Sequence, residues 1–308
     1  MTLQQLEYIV AVDKYRHFAK AAEACYVTQS TLSSMVQKLE NELDVQIFDR
    51  NSHPIKPTIV GEEIIKQAKV VIYNSLQLKE IVESQKETES GEIRLSVIPT
   101  VAPYIIPALF KKINDNFSAV QLNVSEARTS VIVQRLERAE IDVALLATPL
   151  NNPNLLEIPI YYEAFVAYIS PMESLYSQQN IESDKMPSEH LWVLQEGHCM
   201  GNQVINICGK TSNFAAKYEA GSIDTLVKIV DNNGGYTIIP ELHIPLLSDS
   251  QKQNVRKLVN PTPNREISLV VRHDFVKERL LNVLSNAIKS IIPNNMLDLR
   301  LKKFAIKL

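Results

Sequence analysis

The sequence predicts a multidomain α+β protein, helical at its N-terminus and built of alternating strands and helices further on. Three observations predict it. The chain has 308 residues, more than one ordinary core organises. Apolar residues recur at helical spacing through the first part, whereas strand-like alternation begins at Ile93-Leu95-Val97 and alternates with helical stretches. Between the two regimes lies Glu87-Thr88-Glu89-Ser90-Gly91, polar and turn-rich, a domain boundary.

Hydrophobic residues make up 45% and charged residues 22%, with 8 glycines and 15 prolines, the composition of a folded globular chain. Met1-Thr2-Leu3-Gln4-Gln5-Leu6 has neither the basic flank nor the apolar core of an export signal. No apolar run approaches the roughly 20 residues that span a bilayer. A cytoplasmic address without a membrane partner is expected. Three dispersed cysteines do not make a secreted disulfide framework, so any disulfide would be transient or regulatory. A glycine-rich phosphate loop, a nucleophile elbow and a paired-histidine metal motif are all absent from the sequence, and neither enzymatic turnover nor a cofactor is expected.

In residues 1–60, Leu3, Leu6, Ile9 and Val10 share one helical face, and Phe18, Ala21, Ala22 and Cys25 share the face of a second, shorter helix. Cys25 reads as a buried core thiol. Thr28 caps a third helix with apolar positions Leu32, Met35, Val36, Leu39 and Leu43. Its other face is Gln29, Ser30, Thr31, Ser33, Ser34, Gln37 and Lys38. Short hydroxyl and amide side chains let a helix enter a major groove and bond to base edges and phosphates. The same face also suits the solvated side of an ordinary three-helix bundle. Charge does not separate the two: the net charge is -3, and acidic and basic residues nearly balance over the first 60 positions.

The runs Phe18-Ala19-Lys20-Ala21-Ala22-Glu23, Val27-Thr28-Gln29-Ser30-Thr31-Leu32-Ser33, Lys38-Leu39-Glu40-Asn41-Glu42-Leu43 and Ile47-Phe48-Asp49-Arg50 resemble the LysR-type winged helix-turn-helix at matching spacing. The resemblance implies a wing over residues 51–58, closed by Gly61. It implies a recognition helix presenting Gln29, Ser30, Thr31, Ser33, Ser34 and Lys38, and Arg50 near the DNA backbone. The usual basic residues flanking the recognition helix are sparse here.

Over residues 61–90, Ile64, Ala68, Val71, Ser75, Leu78 and Val82 form a heptad seam, while Lys66, Lys69, Lys79, Glu80 and Glu83 keep other faces polar. This long linker helix suits pairing with a copy of itself, as the LysR resemblance implies, or packing on its own domain.

In residues 91–308, strands at 93–97, 120–124 and 143–147 alternate with helices over 104–117 and 131–139, indicating a parallel, doubly wound layout. Ile98-Pro99-Thr100 and Ala127-Arg128-Thr129 fall at two strand ends, where such folds bind ligands. Further segments at 165–169, 191–194 and 236–240 precede a return through Ile267-Ser268-Leu269-Val270-Val271 and a final helix. This resembles the two-lobed α/β effector domain of LysR-type regulators, similar in fold to periplasmic binding proteins.

Gly197-His198-Cys199-Met200-Gly201-Asn202-Gln203, followed by Cys208-Gly209, is similar to the peroxide-sensing loop of OxyR-type regulators. So is Ile98-Pro99-Thr100-Val101-Ala102-Pro103-Tyr104. The resemblance implies that Cys199 is peroxidatic and Cys208 resolving, with Thr100, Thr129 and His198 lining the peroxide pocket. Gly201 and Asn202 depart from the charged residues of that subfamily. The chemistry fits, since peroxide oxidises thiolate and needs donors to position its oxygens. His198 also suits an ordinary loop position, and either threonine a helix cap. With residues 203–207 helical, the two cysteine Cα atoms would stand roughly 13 Å apart, against the about 7 Å a disulfide tolerates, so bond closure would refold the loop.

The expected function is a redox-sensing transcription regulator, activated by hydrogen peroxide through a Cys199–Cys208 disulfide and controlling oxidative-stress genes. Promoter DNA with a pseudo-dyad, further copies of the chain as a dimer of dimers, and RNA polymerase are the implied partners. One alternative is a LysR-type regulator that binds a small effector in the interlobe cleft with no cysteine switch. Others are a thiol peroxidase, and a metal site at His190, His198, Cys199 and Cys208, whose spacing fits no common zinc pattern.

Overall fold

A computed structural model describes residues 1–83, 90–187, 189–193 and 222–297. His198, Cys199, Gly201, Asn202 and Cys208 lie outside the described residues. The chain divides into two compact units, Met1–Glu87 with Glu137–Glu140, and Thr88–Leu136 with Ile141–Leu308.

The first unit opens with α1 (Leu3–Tyr15), started by a reciprocal capping box between Thr2 and Gln5. Helix α2 (Phe18–Ala24) is capped by the His17 ring and α3 (Gln29–Leu43) by the Thr28 hydroxyl, which accepts from Thr31 N at 3.2 Å. Leu6, Ile9, Val12, Ala21, Ala22, Leu32, Val36 and Leu39 interlock as the core of the three helices. Three expected apolar positions differ, Leu3 at the start of α1 being exposed. Leu43, in the last turn of α3, is exposed, and Cys25 is only half-buried at the edge of the core.

Strands β1 (Phe48–Asp49) and β2 (Lys56–Pro57) pair antiparallel to form the wing. Thr58 closes it: its hydroxyl donates to Gln46 O at 2.7 Å and accepts from Gly61 N at 2.9 Å. A Cβ on Gly61 would sit 2.0 Å from the Ile47 carbonyl oxygen, so only glycine lets the next helix pass this close. That helix is α4 (Ile59–Glu83). Ile65 and Ala68 pack into the core of this unit, while Leu78 and Val82 are over 60% exposed, at 67% and 62%.

In the second unit, β3 (Gly91–Val97), β4 (Val120–Glu126) and β5 (Val143–Thr148) are parallel in the order β4-β3-β5. They alternate with α5 (Ala102–Asn116) and α6 (Thr129–Glu137). Beyond these three strands the parallel layout expected from sequence gives way to antiparallel pairing, except where β7 (Asn180–Glu182) lies parallel to β9 (Val255–Val259). Strand β6 (Leu155–Ile169) runs on into a second core that includes β7 (Asn180–Glu182), α7 (Ile223–Asn233) and β8 (Tyr236–Pro240). After the short α8 (Asp249–Lys252) and β9 (Val255–Val259), β10 (Asn264–Arg272) returns between β5 and β6, antiparallel to both. The sheet is mixed because β10 comes back from the second core and so meets both strands from the opposite direction. The segment expected at 191–194 contributes a single bridge, Leu191 to Tyr236, among the described residues. Helix α9 (Glu278–Ile291) buries Leu280, Val283, Leu284 and Ile288 in the first core. Among the described residues, no helix is long and apolar enough to cross a membrane.

Gly61→Ala is expected to lower the stability of the first unit by about 1–3 kcal/mol, because the wing or α4 must shift to relieve the contact with Ile47. Thermal unfolding of the variant checks this; an unchanged midpoint would mean that the closure is slack.

Candidate functional site

Two groups of predicted residues fall on described parts of the chain. On α3, Gln29, Ser30, Thr31, Ser34 and Lys38 are exposed and Ser33 is half-buried. The face is continuous because Leu32, Val36 and Leu39 turn the opposite side into the core. Thr28 joins its hydroxyl to those of Ser30 and Thr31 at 3.0 and 2.8 Å, ordering the start of the helix.

Arg50 has a structural partner that sequence reasoning did not anticipate. Its Nη2 pairs with Glu40 Oε2 at 2.8 Å, and its guanidinium lies 5.8 Å from the centre of the Phe18 ring. Glu40 is buried, and its other oxygen accepts from Ile47 N at 2.9 Å and Phe48 N at 3.2 Å. One carboxylate thus ties α3 to the first strand of the wing and to the arginine that follows it. Arg50 keeps 42% of its side chain exposed, enough to offer charge outward as well.

In the second unit, Thr100 and Thr129 lie three residues beyond Val97 and Glu126, which are register partners at the carboxyl ends of β3 and β4. Thr129 is half-buried as the first residue of α6, and Thr100 is buried. What holds Thr100 is Arg265, which no sequence motif had singled out. Its Nη1 donates to Thr100 Oγ1 at 2.9 Å and its Nη2 to the Thr100 carbonyl at 3.0 Å. Since Oγ1 accepts from the guanidinium, the threonine retains its own O–H to donate elsewhere.

The Arg265 charge is matched by Glu163 at 2.8 Å, both side chains being fully buried. Glu163 also accepts from Leu242 N at 3.0 Å. The Tyr104 phenol accepts from Arg265 at 2.6 Å and lies 3.0 Å from Glu163 and 2.9 Å from the Thr100 carbonyl, to one of which it donates. Burial works against the charge on Arg265, yet Glu163 beside it holds the guanidinium above its ordinary range. Burial pushes the Glu163 carboxyl up, while Arg265, Leu242 N–H and Tyr104 pull it back. The sequence carried no clear signal for it, since Arg265 stands between Asn264 and Glu266 at the polar start of its strand, where an exposed arginine is the ordinary expectation.

His243 lies one residue past Leu242, in the turn Glu241–Leu246. It is buried, neither ring nitrogen has a hydrogen-bond partner among the described residues, and Nε2 lies 3.5 Å from Asp224 Oδ1. Burial holds its pKa below the ordinary value, Asp224 opposing and Arg265 adding to the effect. Cys25 is no sensor candidate. Burial and Glu7 push its thiol up, away from the reactive thiolate. Among the described residues, no group of three or more His, Cys, Asp and Glu side chains is placed to hold a metal ion.

A capped helix with an exposed polar face, a two-stranded wing and an α/β domain with two cores define a DNA-binding transcription regulator rather than an enzyme. The chain belongs to the LysR family of bacterial regulators: residues 3–62 match the bacterial regulatory helix-turn-helix protein, lysR family, and residues 86–290 the LysR substrate binding domain. It is 30% identical over 301 residues to the hydrogen peroxide-inducible genes activator of Haemophilus influenzae, covering 95% of this chain and 99% of that one. Against the DNA-binding transcriptional dual regulator OxyR of Escherichia coli it is 30% identical over 293 residues, with 94% and 95% covered. The solved structure of a full-length OxyR variant from Pseudomonas aeruginosa superposes with a TM-score of 0.80 at 29% identity, over 94% of this chain and 98% of that one.

Two outcomes test the buried network. Arg265→Ala, which strands the Glu163 carboxylate, is expected to destabilise the second unit by about 3–5 kcal/mol, whereas the double change Arg265→Met, Glu163→Leu recovers most of that loss. Urea unfolding of the three proteins decides; equal losses in both variants would show that the hydrogen-bonded geometry, not the charge, is what matters. For His243 the folded pKa lies below the unfolded 6.5, so the unfolded chain binds the extra proton. Stability therefore falls as pH drops from 6.5 toward the lowered folded value. His243→Leu should flatten that slope in the urea midpoint, and a slope kept intact would assign it to other groups.

Proposed function

We propose that this LysR-family protein is a hydrogen peroxide-responsive activator of the OxyR type, with Cys199 as the peroxidatic and Cys208 as the resolving residue. The observation that carries the reading is the end-to-end likeness to relatives whose names state peroxide induction, over 95% of the chain. The two cysteines nine positions apart in the sequence supply the chemistry.

The Cys199 thiolate attacks one peroxide oxygen and the O–O bond breaks. Cys199 becomes a sulfenic acid, and the departing hydroxide is protonated to water. The Cys208 thiol then attacks the sulfenic sulfur, releasing a second water and forming the disulfide. One peroxide is reduced by two electrons and two thiols are oxidised. Thr100, Thr129 and His198 are the groups proposed to position the peroxide. The Thr100 hydroxyl suits the part because Arg265 occupies it as an acceptor and leaves its proton to donate.

The proposed organisation is a DNA-binding domain over residues 1–60, a linker helix over 61–90 and a sensing domain over 91–308. In this reading Gln29, Ser30, Thr31, Ser33, Ser34, Lys38 and Arg50 meet promoter DNA in the cytoplasm. The exposed Val71, Leu78 and Val82 on α4 support pairing with a second copy, and two such pairs assemble as a dimer of dimers. Refolding around a new disulfide would shift the packing of sensing domains and so the spacing of helix-turn-helix units presented to DNA and RNA polymerase.

The test is the thiol content of the reduced full-length protein before and after hydrogen peroxide, read together with a promoter response in cells. Wild type should lose two thiols. Cys199→Ser should lose neither and abolish the response, and Cys208→Ser should accumulate a sulfenic acid that dimedone traps. Unchanged wild-type thiols under peroxide would overturn the switch and leave a regulator that answers to an effector in its cleft.

A further inference from the structure

We infer that Tyr26 is a DNA-backbone contact, its phenol donating to a phosphate beside the recognition helix. The inference rests on the reading of α3 as that helix and adds a residue outside it.

Helix α2 ends in a closure that demands a left-handed residue. Val27 N donates to Ala22 O at 3.0 Å and Tyr26 N to Glu23 O at 3.1 Å, the paired bonds that wind the last turn shut. The residue between the bonds must take positive φ, and Tyr26 sits at +56°. Glycine is the least strained occupant of such a place, because any Cβ there crowds the backbone. Tyrosine is among the less suitable choices.

Two other helices in this unit also end on a left-handed residue, and their side chains explain themselves. Arg16, at φ 52°, reaches back to Asp13 at 2.7 Å, and its carbonyl accepts from Ile55 N. Asp44, at φ 53°, has the short polar side chain that tolerates this conformation. Tyr26 gains nothing comparable. It is 97% exposed, more than any other large apolar or aromatic side chain among the described residues. Its ring and hydroxyl have no partner among those residues. A strained backbone that carries an unpartnered aromatic ring is compensated by something outside the chain.

Its place says what that is. Tyr26 lies two residues before Thr28, the cap of α3, and three before Gln29, where the exposed face begins. In a helix-turn-helix seated in the major groove, the helix before the recognition helix crosses the sugar-phosphate backbone, and Tyr26 closes that helix. Tyrosine hydroxyls are regular donors to phosphate oxygens. Such a contact orients the helix without reading sequence. Being neutral, it also releases no counterion.

The full-length protein, titrated by fluorescence anisotropy against a labelled duplex of arbitrary sequence and one from upstream of its own reading frame, tests this. Tyr26→Phe should weaken both by a similar factor, about three- to tenfold, with the slope of log affinity against log salt unchanged. Tyr26→Gly should weaken binding as much or more and yet raise the thermal midpoint, opposite signs that a merely structural role cannot produce. Ser34→Glu sets a negative charge on the exposed face of α3 and reports on that face separately. If it abolishes binding while both Tyr26 variants bind as wild type, the Tyr26 contact is refuted; if it too binds as wild type, the recognition-helix reading falls first. Unchanged DNA affinity with altered sedimentation in the Tyr26 variants would place the ring between protein copies, and would equally overturn the proposal.

Discussion

The ion pair of Arg265 and Glu163 lies where β10 and β6 pair across from one another, at the passage between the two cores of the second unit. Removing two charges from water costs several kcal/mol each, and their attraction repays this only with good geometry and further hydrogen bonds. Here the hydrogen bonds exist. Thr100 and Tyr104 come from the first core's β3–α5 corner, and Leu242 from the turn after β8, a strand of the second core, with its own side chain packed against the first. Each partner thus depends on the relative placement of both cores. Such a network does more to select one arrangement than to stabilise it.

That constraint passes directly to Thr100. The Thr100 hydroxyl has a defined orientation because Arg265 claims its lone pair, and its carbonyl is held as well. A donor held by a buried guanidinium loses less entropy when it meets a small ligand. His243 stands on the same turn as Leu242, where burial holds its pKa down, Asp224 opposes that effect and Arg265 adds to it more weakly.

In the DNA-binding unit, the buried Glu40 plays the equivalent part on a smaller scale. It joins α3, two wing amides and Arg50 through one carboxylate. Helix α3 and the wing are therefore tied together, and the near balance of acidic and basic residues in this unit puts more weight on shape than on charge.

Periodicity alone determined the three opening helices, the Thr28 cap, the buried face of α3 and the strand ends that carry Thr100 and Thr129, because each depends on residues close along the chain. The family also was legible there, in motifs whose spacing is local. Leu43 and Cys25 differed because they sit at the edge of a core whose outline depends on neighbours far along the sequence. The mixed order of the sheet was decided in three dimensions, since β10 must travel back from the second core before it can pair. So was Arg265: its partners Thr100, Tyr104 and Glu163 lie 165, 161 and 102 residues away. Helical and strand periods report which face of an element is buried, but only the folded backbone decides which buried charge meets which.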